Sequence, residues 1–157
     1  MGCHFGGGFG AHFGDGAGGV ELDDKLRTVS LVGMGAEHRG PHEWFKPWIG
    51  CRDWTVPGNP EVAAALFRGL TKRGVRMFGT REPLNFDDNI SVPTVKLDLD
   101  KTGITLVPVM QNCTVPPIPD QHRCYEVGQK LGDFIANDLP EGMRVGVVGS
   151  GGLSHEP

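Results

Sequence analysis

A single histidine stands where a proton could be moved. His155 closes the run RVGVVGSGGLSH at 144–155, in which a β-branched apolar stretch passes into clustered glycines. Imidazole titrates near neutral pH and suits general acid–base work when it is fixed beside a substrate. Gly149, Gly151 and Gly152 give the chain backbone angles that residues with side chains resist, and they leave room for a ligand to approach. The run therefore reads as a buried strand entering a turn that presents His155 as a catalytic acid or base, with Gly151, Gly152 and Ser154 bordering the substrate. A flexible glycine-rich tail is the other reading of the same residues. A phosphate cradle lacks support, because no Lys-Ser or Lys-Thr pair accompanies the glycines.

The elements that must position this turn alternate along the chain. TVSLVGMG at 28–35 suits a buried strand ending in a sharp turn. Asn59 is an N-cap candidate and Pro60 fits the first helical position; Val62, Leu66 and Leu70 recur at helical spacing, and Gly74 ends that helix. VRMFG at 75–79 reads as a strand, SVPTVKLDL at 91–99 as an extended segment interrupted by Pro93, and ITLVPVM at 104–110 as a buried strand. From Asp120 to about Asn137 a helix gathers Tyr125, Val127, Leu131, Phe134 and Ile135 on one face, and MRVGVVGS forms the final strand. The expectation is an α/β fold with a mostly parallel central sheet flanked by helices on both faces. In such sheets ligands bind at the carboxyl ends of the strands.

Residues 1–27 are expected to form a glycine-rich arm or loop, and 28–157 one α/β domain. The segment 36–60 holds Trp44, Trp48 and Trp54, His38 and His42, and several prolines, so it cannot be one regular element. It reads as an excursion covering a pocket or partner surface, with the tryptophans lining an aromatic pocket or packing on the sheet, and with His38 and His42 at the surface. A net charge of -4 without a Lys/Arg run argues against nucleic acid, and no stretch reaches the roughly 18 apolar residues of a membrane span. The amino terminus lacks a basic region followed by an apolar one, so a cytoplasmic protein is expected. Cys3, Cys51, Cys113 and Cys124 form no Cys-x-x-Cys pair and are expected to be reduced thiols.

From Val107 to His155 the chain resembles the class III, or LigB-type, extradiol ring-cleavage dioxygenases. It carries their V-P-V strand, a proline-rich connection, a helix with Arg123-Cys124 near its start, and a strand ending in GSGGLSH. Upstream, GNPEVAAALFRGLTKRGVRM is similar to the family's helix after a G-[HN]-P-[ED] start, and SLVGMGAEHRGPHEWF loosely matches the strand and excursion before it. The resemblance implies cleavage of a catechol-type ring beside its two hydroxyls, with Fe(II) held by two histidines and a glutamate while O2 and substrate complete the coordination. It makes His155 an acid–base residue off the metal. By position His4 and His12 stand in for the ligand histidines, and the glutamate has no counterpart. In NFDDNISVP at 85–93, Asp88 stands where the family commonly has the histidine of an Asp-His-Gly motif. An aspartate can bond a hydroxyl there but offers no neutral imidazole.

Two functions are therefore expected. One is an extradiol-type dioxygenase, or a portion of one, acting on a catechol with O2, as a homo-oligomer or with a partner subunit that supplies the missing half. The other is a non-catalytic structural or partner-binding homologue that has lost the metal site.

Overall fold

A computed structural model describes residues 30–82, 84, 86–111 and 119–151. In chain order they form β1 (Ser30–Gly33), β2 (Glu37–Gly40), α1 (Lys46–Ile49), β3 (Trp54–Pro57), α2 (Pro60–Lys72), β4 (Met77–Thr80), α3 (Asp88–Lys96), a 3-10 turn (Leu99–Lys101), β5 (Val109–Gln111) and α4 (Gln121–Asn137). β1 is the central strand of a three-stranded sheet, parallel to β4 with Ser30 opposite Met77, and antiparallel to β5 with Leu31 opposite Met110. β2 and β3 form a separate antiparallel ladder in which His38 faces Val56.

Alternation along β1 divides the core in two. Leu31 packs with Trp54, Val56, Leu84, Phe86 and Met110, a cluster flanked by Ile90 and Val95 of α3. Val32 packs on the opposite face with Ala63, Leu66 and Leu70 of α2 and with Val127, Leu131 and Phe134 of α4. The helices that build this second cluster carry clear local signals. The Asn59 side chain accepts from the Val62 N–H at 3.1 Å with Pro60 in the first turn, and Gly74 leaves the helix end in the left-handed region at φ 78°. Asp120 accepts from the Arg123 N–H at 2.7 Å and so opens α4.

Several expectations are corrected. The main sheet is mixed rather than mostly parallel, because the passage from β4 to β5 leaves and re-enters the sheet at the same end and α3 makes no βαβ crossover. Residues 88–96 are helical rather than extended: Asp87 caps the Asn89 N–H at 3.1 Å, which outweighs the β-branched run and the single ladder bond that Pro93 deletes. Tyr125 lies off the buried face of α4, at 67% exposure. The ITLVPVM segment joins the ladder only from Val109, while Leu106 makes an isolated bridge to Gly58. MRVGVVGS forms no strand among the described residues, and Met143, Val145, Val147 and Val148 are exposed. No helix among the described residues is long and apolar enough to cross a membrane.

Candidate functional site

The residues before α3 gather the aromatic part of the site. The Phe86 carbonyl accepts from the His42 N–H at 3.0 Å, which ties this segment to the end of β2. Phe86 is buried, with the Trp54 ring tilted against it at 5.6 Å and the His38 ring meeting it edge-on at 5.8 Å. Asp87 is buried and spends its side chain on the helix cap, and Asp88 follows, half-buried, as the first helical residue.

His38 corrects the expectation of a surface histidine: it is 4% exposed, whereas Glu37 and Arg39 on either side of it are exposed. Three glycines make room for its ring. A Cβ on Gly58 would lie 3.0 Å from His38 Nε2, and one on Gly33 or Gly35 would lie 3.1 or 3.6 Å from its Cε1. His38 Nε2 is buried without a hydrogen-bond partner, and burial lowers the imidazole pKa below its ordinary value, so the neutral form is favoured. The alternation Glu-His-Arg is a period-two signal that the prolines and tryptophans around it obscure.

A cleft of about 270 Å³ opens beside this cluster, lined by Glu37, His38, Arg39, Leu84 and Phe86. The exposed Arg39 guanidinium donates to the Glu37 carboxylate at 2.6 Å. Of the tryptophans, only Trp54 is buried in the core; Trp44 and Trp48 are exposed, so the three do not form one aromatic pocket. Cys51 is a free thiol, and Cys124 Sγ accepts from Gln111 Nε2 at 3.2 Å.

The carboxyl-terminal turn is only partly within the described residues. Gly151 is exposed with φ 121°, a conformation that favours glycine. Gly152, Ser154 and His155 lie outside the described residues, as do His4 and His12. Among the described residues no group of three or more His, Cys, Asp or Glu is placed to hold a metal ion. They therefore do not themselves make the two-histidine, one-carboxylate set that Fe(II) would require.

The described residues form a mixed α/β core with a cleft at its edge, and comparison with known proteins supplies the family. Residues 21–157 match the family model described as the catalytic LigB subunit of aromatic ring-opening dioxygenase. The chain belongs to that family. It is 31% identical over 132 residues to a 2,3-dihydroxyphenylpropionate/2,3-dihydroxicinnamic acid 1,2-dioxygenase of Photorhabdus laumondii, covering 84% of this chain and 38% of the relative. A protein of the same description from Azotobacter vinelandii is 38% identical over 106 residues, covering 66% of this chain and 33% of the relative. A gallate dioxygenase of Pseudomonas putida is 38% identical over 53 residues, 34% of this chain and 15% of the relative. The match thus spans 38% and 33% of the length of the first two relatives.

Proposed function

We propose that the chain is an extradiol-type dioxygenase, or a portion of one, that cleaves a catecholic ring with Fe(II) and O2. The observation that carries this reading is the family match, which runs through GSGGLSH to the last residue. In this reading His155 takes a proton from a catechol hydroxyl and returns one later, with Gly151, Gly152 and Ser154 bordering the ring and Asp88 accepting a hydrogen bond from a hydroxyl. Fe(II) would supply the chemistry that activates dioxygen, with His4 and His12 as the proposed histidine ligands. A carboxylate ligand would come from a partner subunit or a further segment.

The test is metal analysis of anaerobically purified protein, then Fe(II) reconstitution and a search for yellow ring-fission products from several catechols. Absence of both iron and turnover, with any partner supplied, would sink the reading. His155→Ala is expected to lower turnover by about 100-fold or more, the scale of a general acid–base residue, while iron content is retained.

A second reading, a non-catalytic structural or partner-binding homologue, is favoured by Asp88 at the position of the family's histidine. Under it, His155→Ala changes neither metal content nor any turnover.

A further inference from the structure

Away from the cleft, and independently of the ring-cleavage reading, the end of β5 meets the first turn of α4 at a cysteine. We propose that Cys124 is a peroxide-reactive thiol whose oxidised form, a sulfenic acid, is held by the side-chain amide of Gln111.

Strand alternation and helical period bring the two residues together. Met110 belongs to the Leu31 cluster and Val109 packs against the Val32 cluster, so Gln111, two residues beyond Val109, points to the face that α4 covers. Cys124 lies three residues before Val127 and seven before Leu131, in line with the buried stripe of α4. Gln111 is 3% exposed, and its Nε2 donates to Cys124 Sγ at 3.2 Å. Cys124 itself is half-buried, outside the closed core, and hydrogen peroxide is small enough to approach it.

The amide leaves one polar atom unused. Gln111 Oε1 is buried with no hydrogen-bond partner among the described residues, although a buried acceptor normally finds one. It shares its carbon with Nε2, so it lies one amide width from the atom that already touches sulfur. A thiol offers this oxygen only a weak S–H donor, and the Pro119 carbonyl, 4.0 Å from Sγ, competes for it. A sulfenic acid carries a hydroxyl, so the same amide can donate through Nε2 and accept through Oε1. Oxidation thus completes hydrogen bonding that the reduced pair leaves unfinished.

The setting also favours the reacting form of the thiol. Donation from Nε2 strengthens when sulfur is negative, and the first turn of α4 turns its main-chain N–H groups and the positive end of the helix dipole toward that charge. The thiolate attacks one oxygen of hydrogen peroxide; the S–O bond forms as the O–O bond breaks. Sulfur gives up two electrons, and the departing hydroxide takes a proton to become water. The sulfenate then takes a proton to give S–OH, which a thiol reductant returns to the thiol.

The experiment exposes the full chain to hydrogen peroxide with dimedone, which traps sulfenic acids, and locates the adducts by peptide mass spectrometry. Cys124 is expected to be labelled about tenfold faster than Cys51, which is also half-buried but lies outside any helix. In urea the two rates are expected to converge, which separates the folded setting from intrinsic reactivity without any variant. Dimedone added at a delay after peroxide is removed reads how long the sulfenic acid lasts. Gln111→Leu, which loses both amide atoms, is expected to shorten that lifetime about fivefold, with a urea midpoint showing that the variant folds. Dithiothreitol is expected to regenerate the thiol. Equal labelling of Cys51 and Cys124 in the folded chain, a Cys124 disulfide in place of a sulfenic acid, direct passage to the sulfinic acid, or an unchanged lifetime in folded Gln111→Leu overturns the proposal.

Discussion

The surroundings of His38 hold its imidazole neutral: a glycine cradle on one side, the edge of Phe86 on the other, and no hydrogen bond to Nε2. Its folded pKa is lowered from 6.5, so the unfolded chain takes up the proton first. The resulting stabilisation is fully present above pH 6.5 and is lost as pH falls toward the folded value. The urea midpoint is therefore expected to drop between pH 7 and pH 5, and His38→Phe, which keeps a ring on Phe86, is expected to flatten that part of the profile. Glu126 titrates in a separate window. Hydrogen bonds from Lys130 and then Arg123 hold its carboxyl down to about 2 from 4.5, so its contribution stands above pH 4.5 and fades as pH falls toward 2. Glu126→Gln is expected to flatten only that lower limb, and high salt to weaken the limb, because the triad sits at the surface. A midpoint independent of pH from 7 to 5 in the parent protein counts against a buried neutral His38. Neither residue could be found by type alone: a histidine between two charged residues reads as surface until the strand alternation of β2 is recognised.

The two long helices were legible in the sequence and sheet pairing was not, and the reason is the range of the forces involved. Asn59-Pro60 and Asp120 act on N–H groups within three residues, so a local reading finds α2 and α4. Whether Val109 runs parallel or antiparallel to β1 depends on where the chain goes over the preceding 28 residues (81–108), and no short window holds that information. The same local logic failed at 91–99, where β-branched residues outvoted a cap at Asp87 that lies outside the apolar run. Glycines within the two long helices give a matched test of packing. A Cβ on Gly69 of α2 would lie 2.3 Å from the Phe134 ring of α4, whereas Gly128 and Gly132 of α4 have nothing within 4 Å. Gly128→Ala and Gly132→Ala are each expected to stabilise by about 0.5–1 kcal/mol through helix propensity. Gly69→Ala gains the same propensity but must displace a buried ring, and is expected to be destabilising by roughly 1–3 kcal/mol. Chemical denaturation of the three variants checks this, and a stabilised Gly69→Ala would refute the close approach of α2 to α4.

For the whole molecule, the feature that sets it apart from a self-contained α/β domain is the segment after α4. Met143, Val145, Val147 and Val148 have the composition of a buried strand, yet they are 42%, 44%, 59% and 49% exposed. Trp44 at 59% and Trp48 at 77% add exposed apolar area elsewhere on the surface. A run of exposed valines favours association with whatever apolar surface is offered, including other copies of the chain. A final buried strand was expected here and none forms among the described residues, because periodicity reports what a segment can pair with and not whether the partner is among the same residues. Val147→Lys is therefore expected to reduce self-association, read as a lower weight-average mass in sedimentation equilibrium at high protein concentration. Since the side chain is mostly exposed, the same substitution is expected to change unfolding stability by less than about 0.5 kcal/mol. The paired measurement discriminates two states of the molecule. A drop in mass with stability unchanged means that the segment lies open in solution, whereas a large loss of stability means that Val147 is buried there against a neighbour.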